Sequence, residues 1–165
     1  MRKKVICGLF CSAVLFFCFP FTTSVIAASP EDEVLQVEYN FVKAHNTNDY
    51  DLMCSLYWKS PETSSFVPPQ DNAFLIEGFD EIENIWKFLN EFPEGAFVIS
   101  LHHPKATMIK DDVAVITSYH HVSFTNQSTN EQSVDYIRHT VIVQKIEGKW
   151  LIVHDHGSNC FLPNQ

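Results

Sequence analysis

Lys145-Ile146-Glu147-Gly148-Lys149-Trp150-Leu151-Ile152-Val153-His154-Asp155-His156-Gly157-Ser158 is the stretch on which the reading of this chain turns. A tight turn around Gly148 joins two apolar strands, and the second strand ends in carboxylate and imidazole groups. The residues around Gly148 suit a three-residue loop, a type I turn followed by glycine in the left-handed conformation. If Lys145 then pairs with Lys149, His139 falls opposite Asp155, Val141 opposite Val153 and Val143 opposite Leu151. The other face carries Thr140 against His154, Arg138 against His156 and Ile142 against Ile152, with Trp150 beside Gln144. A two-residue turn at Glu147-Gly148 would shift this register and exchange the partners.

The first of these faces is an apolar wall with a candidate acid-base pair, His139 and Asp155, at its open end, as small-molecule pockets tend to be built. A neighbouring carboxylate would raise the pKa of His139 and fix its tautomer, which suits a general base or a hydrogen-bond donor to a ligand. The bland alternative is a satisfied polar contact at a sheet end. His154 and His156, two apart on one strand, have the spacing by which a strand presents two ligands to zinc. Arg138 across from them opposes a cation, so no metal and no other cofactor is expected.

Upstream of the hairpin, Ala96–His102, Ala106–Lys110, Val113–Phe124 and Val134–Ile146 are alternating or β-branched runs separated by turn residues at Asp111-Asp112 and 125–131. Before Pro93 the period changes. Ile82, Ile85, Trp86, Leu89 and Phe92 recur at helical spacing after Gly78, and Tyr50 to Tyr57 makes a shorter helix. Ser29-Pro30-Glu31-Asp32 reads as an N-cap, a proline at the first helical position and acids in the first turn. From there Val34, Tyr39, Phe41, Val42 and Ala44, with Leu35 and Val37, form a broad apolar stripe as far as about His45. Between the helices, a short strand near Ser65 to Val67 is expected to pair with Ala73 to Glu77. Helices first and strands afterwards make an α+β fold, with the helices packed on one face of a curved antiparallel sheet.

The first 28 residues, basic at Arg2-Lys3-Lys4 and apolar from Val5 to Phe21, have the layout of a secretory signal peptide, which leaves 29–165 as one domain. Pro20 and the Val25-Ile26-Ala27 site favour removal over a retained anchor. Cleavage would take three of the 11 basic residues and none of the 20 acidic ones, so 8 remain against 20, a net charge of −12. So acidic a protein, secreted or periplasmic, excludes nucleic acid and anionic membrane as partners. Cys54 and Cys160 are the cysteines left beyond that segment. In an oxidising compartment they could form one disulfide, the alternative being a buried Cys54 and a loose Cys160.

Gly148-Lys149-Trp150, Val153-His154-x-His156-x-Ser158, Leu75-Ile76-Glu77-Gly78 and Lys110-Asp111-Asp112-Val113-Ala114 together resemble the SnoaL-like branch of the nuclear transport factor 2-like superfamily. The nearest pattern is that of the calcium/calmodulin-dependent protein kinase II association domain. The resemblance implies a cone-shaped fold, a curved antiparallel sheet wrapped around three N-terminal helices and enclosing a pocket, with an outer sheet face that commonly forms a homodimer. Aligned on Trp150, the arginines of the kinase pocket fall at His120, Val141 and Gly157. That alignment puts Asp155 on the pocket side and sends Trp150, His154 and His156 outward.

Three functions fit these residues. The first is an exported, homodimeric domain binding a small apolar or aromatic ligand among Tyr57, Trp86, His120, His139 and Asp155. The second is an enzyme of lyase, isomerase or cyclase type, with His139 and Asp155 transferring a proton and His120 or Tyr57 donating to an oxygen that gains charge. The third is an oligomerisation module whose outer face carries Trp150, Arg138, His154 and His156.

Overall fold

A computed structural model describes residues 28–67, 74–126 and 128–160. The leader through residue 27 and the first residue of the strand expected from Ala73 therefore lie outside the described residues. The elements run α1 (Pro30–Asn46), α2 (Tyr50–Ser55), β1 (Ser64–Val67), β2 (Phe74–Glu77), α3 (Phe79–Leu89), β3 (Phe97–Lys110), β4 (Val113–Thr125), β5 (Gln132–Ile146) and β6 (Lys149–Asn159).

Local chemistry sets these boundaries. The Ser29 hydroxyl accepts from the Asp32 N–H while the Asp32 carboxylate accepts from Ser29, a reciprocal cap that opens α1 next to Pro30. Asp49 caps α2 through the Leu52 N–H. Gly78 precedes α3 at φ 89°, a backbone angle that a side chain would strain.

The six strands form one curved, unclosed sheet in the order β2-β1-β6-β5-β4-β3. All neighbouring pairs are antiparallel except β1 with β6, which run parallel, so the sheet is not antiparallel throughout. The two runs expected on either side of His103-Pro104 join into the single edge strand β3, with a register shift between His102 and Lys105 and His103 at φ 50°. An edge strand tolerates the missing N–H of Pro104.

The hairpin differs from the expected register near its turn. Ile146 pairs with Lys149, which leaves a two-residue turn with Glu147 at φ 51° and Gly148 at φ 81°, the type I′ geometry that matches strand twist. Leu151 and Trp150 then fall opposite Gln144 and Lys145, and Val143 meets Ile152. Beyond this point a bulge makes Val153 an extra residue, and pairing resumes with Ile142 against His154 and Val141 against Asp155. Ile152, not Leu151 or Val153, is the fully buried residue of the strand. Trp150 faces the helices instead of the outer surface: Lys145 lies over its ring and pairs with Glu33 of α1. Arg138 pairs with Ser158, and Thr140 stands across from His156.

The core lies between α1 and the concave sheet face, centred on Val34, Phe41, Ile82, Ile116, Val141, Val143 and Ile152. The Asn46 side chain clamps α1 to β3, accepting from the Ile99 N–H and donating to the Ile99 carbonyl. Cys54 is buried, Cys160 is half-buried, and both are free thiols.

Candidate functional site

The buried face of α1 reads Val34, Val37, Glu38, Phe41, Ala44, so a carboxylate stands in the middle of an apolar stripe. Glu38 Oε1 accepts from the Ser118 hydroxyl at 2.6 Å and lies 2.8 Å from His120 Nε2 and 3.0 Å from His139 Nδ1. Alternation puts Ser118, His120 and His139 on the concave face of β4 and β5, and the two imidazole centroids are 4.4 Å apart. Phe41, one turn along α1, packs against both rings. The ligand atoms of Glu38, His120 and His139 all lie within 4.8 Å of one another.

A second polar pair stands on the same wall. The Leu56–Trp58 segment docks on β6, with the Ile152 N–H bonded to the Leu56 carbonyl and the Trp58 N–H to the Ile152 carbonyl. Tyr57 is thereby held beside the strand, and its hydroxyl donates to Asp155 Oδ2 at 2.8 Å. The bulge at Val153 turns Asp155 toward this hydroxyl. His139 stands across from Gly157, and its hydrogen-bonded carboxylate is Glu38, whereas Asp155 bonds to Tyr57. His139 and Asp155 share the concave face as expected but are not directly paired.

Both groups border a cavity of about 230 Å³ whose other walls include Phe41, His45, Phe66, Trp86, Phe97 and His120. Tyr57 reaches this space through Asp155. The expected residues Tyr57, Trp86, His120, His139 and Asp155 thus gather in one region. Glu38 and His45, which the periodicity reading passes over, join them. The signal for Glu38 was a carboxylate four residues after Val34 and three before Phe41, where the helical period calls for an apolar side chain.

The charges of the site are set by burial against pairing. Burial opposes the charge on Glu38, but the hydrogen bonds and charges of His120 and His139 outweigh it and hold the carboxyl well below its usual range. For His139 burial is likewise outweighed, by the Glu38 bond and the Glu38 and Asp155 charges, so its pKa is raised. His120 goes the other way: burial dominates, and the charge on His139 adds to it. One carboxylate therefore holds two imidazoles side by side whose proton affinities are pushed in opposite directions. His45 is pushed down to about 4 by burial and by its two histidine neighbours. Asp155 is raised by burial, which its bond to Tyr57 and the charge of His139 offset only in part.

His154 and His156 stand apart from this cluster. Nδ1 of His154 is 2.8 Å from the Ser64 hydroxyl, and the ring of Phe66 lies beside both imidazoles.

A helical layer inside a curved six-stranded sheet, with a mainly apolar pocket between them that carries a few polar groups, defines a protein of the nuclear transport factor 2-like class. The chain belongs to the SnoaL-like domain family, whose model matches residues 34–163. Among solved structures, it is similar to the CaMKII hub of S. rosetta, with a TM-score of 0.67 and 23% identity over 82% of this chain and 100% of that one. It is also similar to a CaMKII association domain, provisionally so named, from Xanthomonas campestris: TM-score 0.61, 25% identity, 78% of this chain and 86% of that one. A protein from Novosphingobium aromaticivorans, provisionally named a scytalone dehydratase, gives 0.68 at 12% identity over 78% and 83% of the two chains. No curated protein matches the chain.

Proposed function

We propose that this protein is an exported, homodimeric acid-base enzyme of the lyase or isomerase type, acting on a small, largely apolar ring compound that bears oxygen. The observation that carries the reading is the single oxygen of Glu38 held between His120 and His139 at the wall of an aromatic-lined cavity. Environments that push neighbouring groups apart in pKa mark the acid and the base. His120, kept neutral, accepts a proton from the ligand, and His139, kept charged, donates one to the oxygen that leaves or gains charge. Glu38 orients both rings, while Tyr57 and Asp155 form a second polar contact on the same wall.

The test follows deuterium from solvent into a panel of cyclic ketones and alcohols by NMR. Exchange or water loss should fall by about 10² to 10⁴ in His120→Gln and His139→Gln, as expected on losing a general acid or base. Turnover undiminished in both variants would reject the assignment. If no panel member reacts, the binding role alone survives, read from chemical-shift changes at Trp86 with the same compounds.

Export is supported by the basic and apolar leader, and N-terminal sequencing of protein from the growth medium or periplasm should begin near Ser29. Dimerisation is supported by Val98, Tyr119, Val134 and Tyr136, large side chains exposed on β3 to β5. Sedimentation should give twice the chain mass, and a monomer at micromolar concentration would reject it.

A further inference from the structure

We infer that Glu38, His120 and His139 form a binding site for one divalent transition-metal ion, with Zn²⁺ the best match. The site shares residues with the acid-base reading without resting on its chemistry: an ion takes the imidazole lone pairs and replaces protons there, so the metal-loaded and proton-loaded forms are alternative states and the acid-base reading describes the metal-free one.

Four observations converge. Two imidazoles and one carboxylate are the donor set that zinc and non-haem iron sites use. Their spacing fits as well. Metal–ligand bonds of about 2.0–2.1 Å place neighbouring donors about 3.0–3.4 Å apart, and the two nitrogens lie 2.8 and 3.0 Å from Glu38 Oε1, just inside and at the edge of that spacing. Small ring rotations would open room for an ion.

The three side chains are buried, with exposures of 4%, 5% and 1% for His120, His139 and Glu38, and come from three elements, so their directions are fixed by packing. The hydrogen bonding is also lopsided. Three groups crowd Oε1, while the buried Oε2 has no partner among the described residues. An ion shared by the three residues would relieve that imbalance and leave the Ser118 hydroxyl as an outer-shell donor to the carboxylate. The adjoining cavity leaves a coordination position open, as catalytic rather than structural zinc sites do.

Co²⁺ titration of the purified, metal-stripped chain tests this by visible absorption, with Zn²⁺ as competitor. One Co²⁺ per chain should bind and be displaced by Zn²⁺. Glu38→Gln, His120→Gln and His139→Gln should each weaken binding at least 100-fold, whereas His154→Gln and His156→Gln leave it unchanged. Absence of stoichiometric binding, binding that survives the three triad variants, or loss in the His154 and His156 variants overturns the site. X-ray absorption of the Zn²⁺-loaded wild type needs no variant: two imidazole ligands support the site, and one or none overturns it. Neither readout involves turnover, so a chain that binds no metal leaves the acid-base reading standing.

Discussion

Glu38 occupies a helix position where a leucine would complete the stripe, and its burial is tolerated because three polar groups from the sheet reach it. Its neighbours carry opposite pH signatures. His45 has a folded pKa below its ordinary 6.5, so its contribution to stability is present above pH 6.5 and is lost as the pH falls toward about 4. His139 is raised, so its contribution is full below 6.5 and fades as the pH climbs through the folded value. Thermal melts should therefore show that His45→Phe flattens the acid side of the stability profile. The deficit of His139→Gln should be largest below pH 6.5 and shrink at alkaline pH.

Tyr57→Phe leaves a buried Asp155 oxygen without its donor and should cost about 1–3 kcal/mol in urea unfolding. At this scale the sequence was only half legible. His139, Asp155 and His120 show themselves by alternation on strands. Glu38 pairs with residues 80 to 101 positions away, and no local pattern names such partners.

Among the elements, the β5–β6 hairpin decides which side chains enter the pocket. Its turn holds both Glu147 and Gly148 at positive φ, a geometry glycine supplies at the second position but glutamate merely tolerates. Sequence alone did not choose between this turn and a three-residue loop. The wrong choice misplaced Leu151, Trp150 and Val153, yet the positions of His139 and Asp155 on the concave face came out correctly. The reason is the bulge: the one-residue shift at the turn and the extra residue at Val153 add to two, which changes the partners from Ile142 onward but returns each side chain to its expected face. Bulges arise from strand curvature, which a linear pattern does not carry. Deleting Val153 should thus leave the turn intact and keep Asp155 opposite Val141 on the concave face, because His154 then follows Ile152 in regular alternation. Tyr57 should keep its partner, visible as Tyr57 hydroxyl protection by NMR equal to that of the wild type, and loss of that protection would reject this register.

For the whole molecule, the order of helices and strands was readable because period and turn residues change cleanly at Pro93. The attachment of the β1–β2 ribbon was not readable, since it depends on a parallel pairing of Ser64–Phe66 with His154–His156 across most of the chain. Trp86 ties α3 to the pocket, packing edge-on against Phe41 and His45 and beside Tyr57. Trp86→Ala should cost about 3–5 kcal/mol, measurable by chemical denaturation.

That parallel pairing also bears on the order of events in time. A ribosome releases β1 long before β6 exists, so the ribbon has no template and Tyr57 no carboxylate until β6 has emerged, while Glu38 waits for β4 and β5. Closing such long loops before contacts reward them makes folding slow, in the millisecond-to-second range expected for non-local topologies. A chain that cannot complete its pocket until β6 has emerged stays open, up to that point, to whatever machinery handles unfolded polypeptides.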